Sequence, residues 1–132
     1  MDGLTPGTLA GMYAEIEKAL DEVPGLRVGK WGDVPNPPGV FLSLPESLER
    51  MTGRSIHLTD VQITVVVGRA VARASLDEVM RLSGAVADAI DPRRWQTFSD
   101  LTITRIEYDT VTVAGAPDVY LAAIFHTDLA GA

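Results

Sequence analysis

The chain has 132 residues, carries a net charge of −7, and is 46% hydrophobic and 22% charged. That length suits one domain built on one core, residues 1–132 with short flexible termini outside about 6–127, and the composition favours folding over disorder. No apolar run approaches a membrane span, no basic-then-apolar start marks a signal peptide, and the absence of cysteine excludes disulfides, thiolate metal sites and a cysteine nucleophile.

Thr5-Pro6 reads as a helix start, with a hydroxyl at the cap and proline at the first helical position. Leu9, Met12, Tyr13, Ile16 and Leu20 follow at intervals of three and four, so a helix over roughly 6–22 is expected, stopped by Pro24-Gly25. Leu26 to Trp31 is predicted as a short strand and Val40 to Leu44 as a second, which Pro45 ends. Between them lies KWGDVPNPPGVFLSLP, with four of the eight prolines and the only Asn. Residues 46–55 are polar and predicted as a loop with at most one helical turn.

Ile56 to Val67 is the strongest strand pattern, with Val61, Ile63, Val65 and Val67 on one face. Ser75 and Glu78 have capping-box spacing and open a second helix, with Asp77 and Glu78 suited to its positive end. Leu76, Val79, Met80, Ser83, Val86, Ala87 and Ile90 are its expected buried stripe, and Pro92 closes it. Leu82, Ala85 and Ala89 form a second stripe to one side. Over Leu101 to Val113 the parity breaks: Leu101 and Ile103 share one face, Ile106 and Tyr108 the other, so a bulge or bend near Arg105 is expected. Ala114 to Asp118 is a turn and Val119 to His126 the last strand. The order α-β-β-β-α-β-β predicts an α+β domain, two helices packed on a mostly antiparallel sheet.

Few residues offer chemistry. Gly25-Leu-Arg-Val-Gly29-Lys30 is one residue short of a phosphate loop and continues with Trp31 where Ser or Thr is needed. His57 and Asp60, three apart, point to opposite faces of a strand; His126 and Asp128 can share one, but two ligands near a chain end make a weak metal site. These histidines are expected as polar strand-end residues facing water. No carboxylate sits in an apolar setting that raises its pKa for acid–base work, and no serine has a GxSxG elbow. The charge is evenly spread, with 5 basic and 9 acidic residues in 1–66 and 6 and 9 in 67–132, so no basic patch for gripping nucleic acid is visible. No catalytic, cofactor or metal residue is assigned.

Three stretches together resemble a known family. They are the opening helix running into KWGDVPNPPGVFLSLP, then DVQITVVVG followed by a helix, and the ending TITRIEYDTVTVAGAPDVYLAAIFHT. In this order, over roughly residues 8–127, they are similar to the tail terminator proteins of long-tailed, siphovirus-type bacteriophages, in particular those of actinobacteria. The resemblance implies a structural virion protein that is not an enzyme and has no cofactor. It implies a ring, usually a hexamer, that sits in the tail-neck region, stops tube polymerisation and joins the tube to the head-side connector. Its implied partners are itself, the tail tube protein and the connector or head-completion protein, after assembly in the host cytoplasm. DNA passes through the channel without specific binding, which an acidic wall favours by repelling phosphates. Another neck or tail-completion protein is the nearest alternative, and a small cytoplasmic ligand-binding or enzyme subunit is the alternative from a different class.

Candidate interface residues follow from this resemblance. Leu82, Ala85 and Ala89 either pack on a neighbouring subunit or fill the edge of the monomer core. Arg93, Arg94 and Trp95 either anchor an interface or pack locally at the helix end. The proline stretch is expected to be a stiff, hairpin-like connection between two strands, with Trp31, Pro35, Pro37 and Pro38 shaping a tip suited to contact with a neighbour or the tube.

Overall fold

A computed structural model describes residues 6–29, 36–50, 56–91, 93–112 and 118–131. Two helices, α1 (Pro6–Asp21) and α2 (Arg73–Ile90), accompany six strands: β1 (Arg27–Val28), β2 (Gly39–Leu42), β3 (Ser47–Arg50), β4 (Ile56–Arg69), β5 (Asp100–Thr112) and β6 (Val119–Ala130). The α+β class and the order of elements are those the sequence predicts, with β3 added. The sheet runs β1-β2-β4-β6-β5, and β3 pairs with the other half of the β4 edge that β2 occupies. All pairings are antiparallel except β1 with β2.

Apolar spacing explains α1: Met12, Tyr13, Ile16 and Leu20 are buried at intervals of one, three and four, and Leu9 packs against the same cluster. Its last turn tightens, with Glu22 and Val23 amides donating to the carbonyls of Ala19 and Leu20, and Gly25 leaves it at φ +79°, where a side chain would be strained. The Tyr13 hydroxyl donates to the Ser43 carbonyl at 2.7 Å, pinning α1 to the end of β2, and burial pushes its pKa up to about 12.

Four local expectations change. First, the proline stretch does not join a hairpin. The Arg27 and Gly29 amides donate to the carbonyls of Pro38 and Val40, the staggered pattern of parallel strands, so β1 and β2 run in the same direction. Second, residues 47–50 are a strand and not a loop or helical turn, because β4 is long enough to pair with two strands end to end. Third, α2 starts two residues before Ser75. Ala72 is its cap, no side chain caps it, and Asp77 and Glu78 lie beyond its first turn. Fourth, its buried stripe is Ser75, Val79, Leu82, Ser83, Val86 and Ile90, whereas Leu76 and Met80 are 59% and 66% exposed. The real stripe is rotated from the expected one, and Ser75 on it packs against Gly68, where a Cβ would lie 2.6 Å from the Ser75 Oγ.

Both helices cover one face of the sheet, where Val40, Leu42, Val61, Ile63, Val65, Ala123, Phe125 and Leu129 meet Ile16, Leu20, Val79, Leu82 and Val86 in a single apolar cluster. The parity break in β5 is resolved as expected. Ile103 pairs with Thr127 and Arg105 with His126, so Thr104 is an extra residue, and Leu101, Ile103, Ile106 and Tyr108 all face the helix side. A matching bulge occurs in β4, where Thr59 and Asp60 together oppose Asp128, between the pairs Leu58–Leu129 and Val61–Thr127.

Candidate functional site

The bulges of β4 and β5 converge on one side chain, His126 of β6, the strand between them. Phe125 faces the helices, so alternation puts His126 on the opposite face of the sheet. There it is nonetheless 5% exposed. Its Nδ1 lies 2.6 Å from Asp60 Oδ1 and its Nε2 2.9 Å from Glu107 Oε1. Asp60 comes from β4 and Glu107 from β5, so the imidazole braces three strands. Ionised carboxylates only accept hydrogen bonds, so both contacts are hydrogen bonds together only when both ring nitrogens carry protons.

Each bulge serves this geometry. Asp60 has φ +56°, a left-handed conformation that Asp tolerates better than most residues, and it re-aims the carboxylate toward the neighbouring strand. The Asp60 amide donates to Asp128 Oδ1 at 3.0 Å, and Gln62 Nε2 donates to Asp60 Oδ2 at 3.3 Å. In β5 the extra residue Thr104 donates its hydroxyl to the His126 carbonyl at 3.0 Å, and Arg105 lies 3.6 Å from Glu107. Burial by itself raises the Asp60 carboxyl. Hydrogen bonds from His126 and Gln62 and the charges of His126 and Arg105 outweigh it and hold the pKa below the ordinary value.

The sequence places His126 as a water-facing strand-end residue and weighs Asp60 only against His57, on the opposite face of its strand. The structure instead buries His126 and brings Asp60 to it from a strand that ends 57 residues earlier in the chain than His126. One signal was present: Ile56 and Leu58 are even-numbered, Val61, Ile63 and Val65 odd, the same phase break that betrays the β5 bulge. Chemically the cluster is a brace. Both imidazole nitrogens face carboxylates of the neighbouring strands. Among the described residues no group of His, Asp and Glu is arranged to hold a metal ion.

The expected interface residues are distributed as follows. Trp31 and Pro35 lie outside the described residues. Pro37 and Pro38 are half-buried, joined by a cis bond, and the Pro38 carbonyl accepts the Arg27 amide at 3.1 Å. Leu82 is fully buried in the monomer core, and Ala85 and Ala89, half-buried, pack against that core. Arg93 makes a two-pronged contact with Glu22 at 3.0 and 3.3 Å and lies 5.8 Å from the centre of the Trp95 ring, which stacks on buried Phe98 at 4.8 Å. Glu15 accepts the amides of Gln96 and Thr97 at 2.8 and 2.9 Å. Arg93 and Trp95 thus pack locally, fastening the connection after α2 onto α1. Arg93 does so through Glu22, just after α1, and Trp95 through Phe98. Arg94 is exposed.

No model of a known protein family matches the chain, and no curated protein sequence matches it.

Proposed function

We propose that this chain is a structural, ring-forming tail terminator of a long-tailed bacteriophage, which caps the tail tube, stops its growth and joins it to the head-side connector. The observation that carries the reading is the order of parts: an opening helix and proline stretch, a long strand followed by a helix, and a closing pair of long strands, in the sequence order the family resemblance implies. The acidic chain, at −7, suits a channel past which DNA slides. The His126 node supports a structural role, since it spends its titratable groups on bracing three strands. Exposed Leu76, Met80, Leu44 and Tyr108 supply apolar surface that assembly can cover.

Native mass spectrometry of the purified protein, with and without tail tubes, tests the proposal. A ring, alone or on the tube, is the expected result. A persistent monomer that ignores both tube and connector would refute it.

A further inference from the structure

Helix α2 has an outward flank that its own fold leaves bare. Leu76 and Met80 are 59% and 66% exposed, and Gly84, also exposed, follows on the same face at the same spacing of four. Glycine inside an 18-residue helix weakens it relative to alanine. Among the described residues nothing in the monomer requires glycine there. Gly84 has no positive φ, and a Cβ on it would meet no atom within 4 Å.

The charges on this flank run against the helix dipole. Arg73 opens α2 at its positive end, while Asp88 lies in the last turn and Asp91 at the negative end; the first turn has no acidic residue and the last no basic one. Among the described residues none of these three forms an ion pair.

An antiparallel neighbour of the same kind accounts for both features. Two copies of α2 related by a two-fold axis at Met80 set Leu76 against Gly84 of the second copy, so each leucine fills the space above a glycine. Met80 meets Met80 of the second copy, a flexible pair that adapts to its surroundings. Arg73 falls beside Asp88 of the second copy, which places each cation near the negative end of the other helix. Arg81 lies farther round the helix, where it donates to Glu78 of its own copy at 2.6 Å.

Other arrangements match less well. Sliding by one turn in one direction sets Asp77 against Asp88 of the second copy. Sliding the other way brings Asp77 near Asp77 and sets Leu76 against Met80. Parallel pairing puts Arg73 beside Arg73 and leaves glycine facing glycine.

We propose that the Leu76–Met80–Gly84 flank of α2 is a two-fold contact with a second copy of this chain. Such a contact uses one patch on both copies, whereas a closed ring needs a head-to-tail contact between two different patches. The inference therefore does not rest on the terminator reading, and its test uses no tail tube.

Sedimentation equilibrium of the full chain, from about 10 μM to about 1 mM, should show a monomer–dimer equilibrium. Gly84→Leu should raise the melting temperature at low concentration and abolish the dimer, because it favours the helix while filling the space that Leu76 of the second copy takes. Arg73→Asp and Asp88→Arg each suit the helix dipole better, so neither should lower the melting temperature, yet each should weaken dimerisation about tenfold. Both changes in one chain should restore it. The chain has no cysteine, so Met80→Cys reports the register: on oxidation it should cross-link two copies faster than Ala74→Cys does. A monomer throughout the range, a dimer that survives Gly84→Leu, a charge swap that restores nothing, or cross-linking no faster in Met80→Cys than in Ala74→Cys would each overturn the proposal.

Discussion

Replacing Asp60 separates two effects that the structure places at one residue. The carboxylate satisfies Nδ1 of His126, whose side chain is 7% exposed, and the backbone at this residue sits at φ +56°. Removing the carboxylate leaves a buried ring nitrogen without its partner, which costs about 1–3 kcal/mol. Asp60→Ala removes it and also forces a Cβ with no compensating polar group into the left-handed region, at about 1–2 kcal/mol more. Asp60→Gly removes the acceptor but adopts this φ freely, so it should lose only the hydrogen-bond part. Asp60→Asn keeps an acceptor oxygen and tolerates the conformation, so its loss should be about 1 kcal/mol or less. Urea denaturation at neutral pH, followed by far-UV circular dichroism, should therefore rank the variants wild type, Asn, Gly, Ala in falling stability. If Gly equals wild type, the carboxylate contributes nothing to holding His126. If Ala equals Gly, the bulge conformation carries no strain.

Three further outcomes are expected. Asp60, Glu15 and Glu22 all have carboxyl pKa values held below the ordinary one, so their contribution is complete above the unfolded pKa of about 4 and is lost as pH falls through the folded values; the urea midpoint should drop on acidification, less steeply in Asp60→Asn, and a flat profile would contradict the assigned contacts. Leu82→Ala should cost about 2–5 kcal/mol in the same denaturation assay while Met80→Ala stays within about 0.5 kcal/mol, and the reverse order would mean that α2 is rotated toward the stripe read from spacing. Replacing Pro37 and Pro38 with glycine should reduce assembly on tail tubes, scored by native mass spectrometry, more than it reduces thermal stability; equal losses would make the loop a purely structural connection.

The accuracy of the sequence reading depended on whether a signal was periodic or relational. The helix over 6–21 was legible because five apolar residues repeat at helical spacing and Pro24-Gly25 follows. The bulge in β5 was legible because moving the apolar phase by one residue flips every side chain to the wrong face. The same phase break, between Leu58 and Val61, marks the β4 bulge. By contrast, Ser75 and Glu78 have the S-x-x-E spacing of a cap, yet α2 starts at Arg73 and no side chain caps it. Its stripe was placed from spacing alone, although two flanks of that helix are apolar. Which flank turns inward is set by contacts between separate elements, such as Ser75 of α2 against Gly68 of β4.

Local chemistry along the chain therefore determined the class, the order of elements and one of the two bulges that shape the site, because apolar period and breaker residues act over a few residues. Only the tertiary structure decided that β1 and β2 run parallel, that residues 47–50 are a strand, and that His126 is enclosed by Asp60 and Glu107. Each of those outcomes is set by which strand lies beside which. A strand's neighbours are fixed by the burial of the whole sheet, and no stretch of the chain carries that information by itself.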